Sequence, residues 1–348
     1  MKNKKLFLLN LIYFTALSLI AVLFVLSYFG FISNDWLSSI LIQIIVMAAI
    51  PILMYKLMFK KSFKTTMKHI GFKRISTKSI LIIILLGFAL YFLNSYIATF
   101  FSTIISMFGY EKLSFSQSQT NITYGLLLKE LLLTAILPAI CEEILHRGIM
   151  LNCAKRTYNP RFCLLISSIL FGLTHLNINQ FFYAAILGFL MGYVNLVCDS
   201  IIPSIIIHFM NNFLSIYFSY GNALDWPLAT FIHSVETFIS SNIVVFVAFT
   251  SITFVAILGL YSILVKTLAK ERARSEIQNI VNCLQLNKLS IEAAQVKINQ
   301  VNQILKEKDS FSNKMRHKKA TCLDNLFLIS SIILGVSVTI CSFIWGII

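Results

Sequence analysis

Charged side chains are scarce in this sequence. Of its 348 residues, 12% are Asp, Glu, Lys or Arg, whereas soluble globular chains carry about 25%. Hydrophobic residues make up 57% of the chain and the mean hydropathy is +0.81. There is too little polar side chain to cover a water-facing surface of this size, so a soluble enzyme is excluded.

Acidic residues are especially few, and the net charge is +15. This excess of positive charge does not indicate a nucleic-acid partner, because the basic residues are concentrated in the segments between the apolar runs that lie on one side of the predicted membrane. Apart from Lys112 and Lys129, all Lys and Arg residues fall on one side of the predicted membrane. This asymmetry follows the positive-inside rule and predicts a multispan membrane protein. The N-terminus then lies in the cytoplasm and the C-terminus outside.

Closely spaced cysteines are also lacking. The seven cysteines include no CxxC pair, so the sequence offers neither a disulfide framework nor a thiolate metal site. We expect them to pack as small apolar residues.

Long uncharged runs dominate instead. A helix needs about 20 apolar residues to cross a bilayer core of about 30 Å. The predicted fold is therefore all-α, a multi-pass transmembrane bundle of about nine spans. The spans are Leu6 to Ile32, Trp36 to Met58, Ser79 to Met107, Leu131 to Ala154, Phe162 to Leu176, Phe181 to Cys198, Ile205 to Tyr220, one within Thr230 to Val265, and Leu323 to Ile348. A polar outer connection, 108–124, follows the third.

One segment, Lys266 to Thr321, looks soluble. Its apolar residues recur at helical spacing on either side of a break at Asn287 to Ser290, which predicts a cytoplasmic antiparallel helical hairpin. The alternative is an amphipathic pair that lies on anionic lipid or docks a cytoplasmic partner. The predicted domains are 1–78 (two spans and a basic loop), 79–265 (the core), 266–322 (the hairpin) and 323–348 (the last span).

Ionisable and amide side chains inside the predicted spans are the candidate functional residues. Each ionisable group costs at least about 2.5 to 3.5 kcal/mol on insertion scales. They fall on three spans: Glu142, Glu143, His146 and Arg147 on the fourth, His175 on the fifth, and His208 with Asn212 on the seventh.

Helical spacing separates the two adjacent carboxylates. Side chains of neighbouring helical residues point about 100° apart. Glu143 lies four residues before Arg147, in register for an ion pair that neutralises both charges. This leaves Glu142 free to face a cavity, with His146 one turn away. Pro138 lacks an N–H and predicts a kink just before Glu142.

Depth in the membrane is compatible for three candidates. Glu142 lies 13 residues before Lys155, and His175 lies 14 after Arg161. Both are thus about 20 Å from the basic surface at 1.5 Å per residue. His208 is shallower, at about 13 Å. We expect the three side chains to line one cavity.

The chemistry that such a set supports is hydrolysis. A carboxylate in an apolar setting is a candidate general base for water, and a nearby His or Asn can donate to a developing oxyanion. One Glu and two His also match a three-ligand zinc site, which would use Glu142, His175 and His208, although the HExxH signature is absent. The sequence leaves both mechanisms open. Structural roles are the alternative for each residue alone, above all for the Glu143–Arg147 pair.

The three motifs together resemble the CPBP family, the CAAX protease and bacteriocin-processing (Abi) intramembrane proteases. The family pattern is E-E-x-x-x-R, F-x-x-x-H and H-x-x-x-N on successive membrane helices. The corresponding residues are Glu142-Glu143-x-x-x-Arg147, Phe171-x-x-x-His175 and His208-x-x-x-Asn212.

The resemblance implies an intramembrane endopeptidase within 79–265, acting on a membrane-associated or lipidated substrate. Glu142 would activate water with the help of His175, and Glu143 with Arg147 would hold the helix. His208 and Asn212 would stabilise the tetrahedral intermediate, and Phe171 would pack beside His175. The family has been described both as metalloproteases and as metal-independent.

Bacterial members are linked to bacteriocin maturation and self-immunity, and the Ile/Lys/Asn-rich composition suggests a bacterial plasma membrane. A non-catalytic protein that binds a partner in self-immunity or envelope regulation is the competing interpretation.

Overall fold

The computed structural model describes residues 4–31, 35–110, 123–156, 158–286, 289–306 and 325–345. Most of the predicted outer connection, Asn287 with Lys288 in the hairpin turn, and the end of the hairpin segment beyond residue 306 lie outside the described residues. Within the described ranges, the chain is all-helical, with no strand.

Twelve helices make up the described chain. They are α1 (Lys4–Tyr28), α2 (Asp35–Ile40, Leu41–Ala49 and Ile50–Met58), α3 (Phe63–Ile70), α4 (Thr77–Ser106), α5 (Tyr124–Glu130, Leu131–Ile136, Leu137–Glu143, Ile144–Cys153 and Ala154–Arg156), α6 (Pro160–Leu173), α7 (Ile178–Cys198), α8 (Ile202–Ala223), α9 (Pro227–Ser241), α10 (Ile243–Gln285), α11 (Ile291–Lys306) and α12 (Leu326–Trp345).

Polar caps begin several of these helices. Ser76 accepts a hydrogen bond from the Ser79 N–H at the start of α4, and Asn177 does the same for Asn179 at the start of α7. Asn159 caps α6, whose first residue is proline. Such side chains satisfy N–H groups that have no partner in the first helical turn.

The chain is a multi-pass helical membrane bundle. Among the described residues, α1, α2, α4, α5, α7, α10 and α12 are long and apolar enough to cross a membrane, and α6 is a shorter apolar helix. Helix α8 has 22 residues, but His208, Asn211 and Asn212 interrupt its apolar character. The count of nine spans and their orientation stay predictions.

The range Thr230 to Val265, which holds the predicted eighth span, contains a break between two helices. Helix α9 ends at Ser241, and α10 begins at Ile243, with the Asn242 side chain accepting from the N–H groups of Val244 and Val245. Helix α10 then continues without a break to Gln285, through the predicted domain boundary at 265/266. The division into domains remains a prediction.

A helical hairpin is present where the apolar spacing predicts one. Helix α11 folds back on the end of α10, and the two bury Ala273, Ile280, Ala294 and Val301 between them. Its position in the cytoplasm is still a prediction.

Helix α5 lies between two apolar cores. One core joins it to α1, α2, α6 and α12, and includes Tyr13, Leu145 and Leu170. A second surrounds its C-terminal half, with Ile149 and Leu151 fully buried. This packing fixes the helix that carries most of the candidate residues.

Four of the seven cysteines, Cys141, Cys153, Cys163 and Cys198, are buried as expected, but Cys283 and Cys341 are exposed and Cys322 lies outside the described residues.

Candidate active site

A cavity of about 890 Å³ opens between α4, α5, α7 and α8. Glu142, His175, His208 and Asn212 all line it, so segments far apart in sequence bring four of the seven candidate residues to one space. Glu143 and Arg147 lie behind the cavity wall and are fully buried. The wall is largely polar, with Asn94, Ser95, Thr99, Ser102, Asn179, Gln180, Asn211 and Ser215 among its side chains.

The Glu142 carboxylate is buried, with 6% of the residue exposed, and its two oxygens differ. Oε1 accepts a 2.9 Å hydrogen bond from Nε2 of Gln43 on α2. Oε2 has no hydrogen-bond partner and lies 4.0 Å from Nε2 of His208. One oxygen is therefore anchored, and the other is buried at the cavity wall without a hydrogen-bond partner.

Gln43 is a site residue that the sequence analysis missed. It lies in a π-helical stretch of α2, where the Ile50 N–H bonds to the carbonyl of Ile45, five residues back. Like Asn212, Gln43 is a polar amide within an apolar span, and this marks it as a candidate. The sequence alone does not indicate which residue it contacts. In the structure its Oε1 is buried without a hydrogen-bond partner.

The predicted ion pair between Glu143 and Arg147 is confirmed. Nη1 of Arg147 donates to Oε1 of Glu143 at 2.8 Å, and both side chains are fully buried. Nη2 donates to the Gly188 carbonyl on α7 at 3.0 Å. The Glu143 carboxylate also lies 3.0 Å from Nδ1 of His208. A structural pair thus connects three helices and orients one candidate catalytic side chain.

The orientation of His208 follows from this contact. A carboxylate is an acceptor only, so Nδ1 of His208 donates to Glu143. In a neutral imidazole the other nitrogen, Nε2, is then an acceptor directed toward Glu142 and the cavity.

Phe171 is the ring around which the imidazoles are arranged. Its centroid is 5.4 Å from that of His175, as the family resemblance implies, and 5.6 Å from that of His208. It also contacts the ring of His146 edge-on, and the Arg147 guanidinium lies 4.3 Å from its centroid. One aromatic side chain thereby holds two cavity residues and the buried cation.

Asn212 donates a hydrogen bond to a backbone carbonyl that Pro138 leaves without its α-helical partner. Because Pro138 lacks an N–H, the Thr134 carbonyl four residues earlier cannot make its α-helical bond. Nδ2 of Asn212 donates to that carbonyl at 2.9 Å. Its Oδ1 accepts from Asn211, whose own Oδ1 accepts from Asn94. A chain of three amides therefore runs along the cavity wall.

His146 lies away from this cavity and from a second, smaller one that also contacts Glu142. It is fully buried, 3.5 Å from the hydroxyls of Tyr13 and Thr174. Neither cavity lining includes it. The expectation that it would share the face of Glu142 is therefore not met, and its ring packs edge-on against Tyr13 and Phe171 in the core.

A second cavity of about 320 Å³ meets the first at Glu142 and His175. Its other walls come from α1 and α2, with Ile20, Phe24 and Met47 among the apolar residues and Gln43 among the polar ones. Glu142 and His175 thus lie between two spaces of different character.

The proposed zinc ligands do not form a metal cluster in this arrangement. Among the described residues, no group of three His, Cys, Asp or Glu side chains is close enough to hold an ion. The residues therefore do not fit a three-ligand zinc site as they stand, and the ligand set of Glu142, His175 and His208 stays a prediction.

The fold and the cavity together define a polytopic membrane protein with a polar chamber inside its helical bundle. Residues 124–214 match the family model described as Rce1-like, type II CAAX prenyl endopeptidase. The match supports the CPBP/CAAX protease family for this segment of the chain, and the segment contains all seven candidate residues. The same comparisons found no matching curated protein and no matching solved structure.

Proposed function

We propose that the chain is an intramembrane endopeptidase of a bacterial plasma membrane. Its substrate class is a membrane-associated or lipidated protein or peptide. The observation that carries the proposal is the Glu142 carboxylate, which is buried, anchored through one oxygen and free at the other, in a polar cavity shared with His175 and His208.

Glu142 is the general base in the proposed reaction. Its free Oε2 takes a proton from a water in the cavity as the water oxygen attacks the carbonyl carbon of the scissile bond. His175 assists at the same water. The proton then passes to the leaving nitrogen as the C–N bond breaks, which yields a carboxylate and an amine.

His208 and Asn212 act on the tetrahedral intermediate. An Asn amide carries two N–H bonds, and only one of those of Asn212 is needed by the Thr134 carbonyl. The other is available to an oxyanion. His208 donates from Nε2 when protonated. Glu143 and Arg147 serve as positioning residues, because they hold His208 and the backbone of α7 without reaching the cavity.

Glu142→Gln tests the proposal. This change removes the base while preserving shape, and general-base loss costs about 10²- to 10⁴-fold in rate. Membranes of the wild type and the variant are compared by quantitative proteomics of new peptide ends. The matched control is Glu130→Gln, which makes the same change on the same helix at a residue outside the cavity lining.

Gln43→Leu provides a second variant. It removes the donor to Oε1 of Glu142 without touching the base, and a misplaced catalytic group costs about 10²-fold. Unchanged peptide ends in the Glu142→Gln membranes would contradict an endopeptidase and leave the binding role in self-immunity or envelope regulation.

A further inference from the structure

The basic residues gather at one end of the bundle. This basic end comprises the starts of α1, α4 and α6 and the ends of α2 and α5, with Lys4, Lys56, Lys78, Lys155 and Arg161. The structure joins these segments directly. Asp199, just after α7, pairs with both Lys73 and Lys155, and the Ile201 N–H bonds to the carbonyl of Gly71.

On α1, α4 and α7, the cavity-lining residues lie in the half of the helix opposite the basic end, whereas on α8 the lining begins in the half nearer that end, at His208. On α4 the lining runs from Tyr91 to Thr103, and on α7 it lies in the first half, up to Leu187. On α1 it runs from Ile20 to Ser27. Neighbouring spans run in opposite directions, so the second half of one helix lies beside the first half of the next. The lining segments of α1, α4 and α7 therefore all lie on the side of the bundle opposite the basic end.

The larger cavity extends to the far surface. Thr103 lies 25 residues beyond Lys78 on α4, about 37 Å at 1.5 Å per residue, which exceeds the bilayer core of about 30 Å. Ser95, Thr99, Ser102 and Thr103 form a polar stripe along this helix. Polar side chains at membrane depth line water-filled space, because lipid cannot satisfy them.

Packed side chains close the path from Glu142 to the basic end. Leu145, His146, Arg147 and Ile149 follow it on α5, and each is 0% exposed. Leu151 and Cys153 continue the same sealed core. Within the described residues, the larger cavity therefore connects the carboxylate to the far side of the bundle.

We propose that the substrate reaches Glu142 from the extracytoplasmic side. The proposal rests on the proposed peptidase function and on the cytoplasmic location of the basic end. The substrate class is then an exported peptide, or a membrane-anchored segment whose cleaved bond faces outward. A protein tail on the cytoplasmic surface is excluded as the substrate.

Cysteine labelling tests the access route without requiring activity. Thr99→Cys places a thiol in the cavity wall, and Lys64→Cys places one on the exposed surface of α3 near the basic end, in a chain with Cys283, Cys322 and Cys341 replaced by Ser. In intact cells, a membrane-impermeant maleimide is expected to label the Thr99→Cys variant, and to label the Lys64→Cys variant only after lysis. The reverse pattern overturns the proposal.

Cleavage in oriented vesicles gives the second measurement. Quenched fluorescent peptides too polar to cross lipid are added outside sealed right-side-out or inside-out vesicles. Glu142-dependent cleavage is expected in right-side-out vesicles and is expected to be lost in inside-out ones, and the opposite result overturns the proposal. If Glu142→Gln matches the wild type in both orientations and in detergent, the peptidase function fails, and the labelling still decides the route.

Discussion

Replacing Arg147 by Met leaves the Glu143 carboxylate buried without its cation. The two side chains are 0% exposed and are joined at 2.8 Å, so no solvent replaces the lost contact. Removing one partner of a buried ion pair costs about 3 to 5 kcal/mol. At about 1.4 kcal/mol per tenfold, the unfolding equilibrium shifts by about two to three and a half orders of magnitude.

The matched control removes both charges together. Glu143→Gln combined with Arg147→Met leaves no unpaired charge, and such replacements of buried pairs are often neutral or stabilising. We therefore expect the double variant to be markedly more stable than Arg147→Met alone. His208 loses its carboxylate partner in the double variant, so activity stays low even where stability returns.

Unfolding of the purified proteins in one lipid–detergent mixture measures these differences. A single variant within about 1 kcal/mol of wild type, the range of an exposed pair, would refute the reasoning. A double variant as unstable as the single would also refute it, because the loss would then come from packing against Phe171 and not from the unpaired charge.

Two further predictions concern the amide chain and the basic end. Asn212→Leu leaves the Thr134 carbonyl without its donor and is expected to destabilise the bundle by about 0.5 to 1.5 kcal/mol, with partial recovery on adding Pro138→Ala, which returns an N–H; equal unfolding midpoints for single and double variants would argue against this. Burial raises the pKa of Asp199, but the Lys73 hydrogen bond and the nearby lysine charges outweigh it and hold that pKa below its ordinary 3.8. A depressed carboxyl pKa stabilises the fold above the ordinary value and loses this effect as pH falls through the lowered one. Asp199→Asn should therefore lower the unfolding midpoint at pH 6 and converge with wild type in acid, and a difference that persists in acid would contradict the ion-pair origin.

Much of the site was predictable because polar and ionisable side chains are costly and rare inside membrane spans, so each one in the sequence marks a candidate site. Spacing alone predicted the Glu143–Arg147 pair, and depth counting placed Glu142 and His175 at the same level, with His208 shallower but compatible. Both inferences rely on helical geometry within single spans, which the sequence encodes locally.

The rest depended on contacts between helices and on departures from α-helical spacing. The contacts of His146 with Tyr13 and Phe171 depend on how α1 and α6 pack against α5, and composition does not reveal that packing. The partner of Gln43 lies 99 residues away on another helix. The break at Asn242 was missed because apolar residues continue on both sides of it.

The matched segment alone does not contain the whole site. Gln43 and the Asn94-to-Thr103 wall both come from helices that precede residue 124. A fragment cut at that point would keep every motif and lose the anchor of Glu142 together with one side of its chamber. Grafting the motif-bearing helices onto another scaffold would therefore transfer the sequence motifs without the residues that complete the site. A minimal version of this protein has to begin upstream of Gln43.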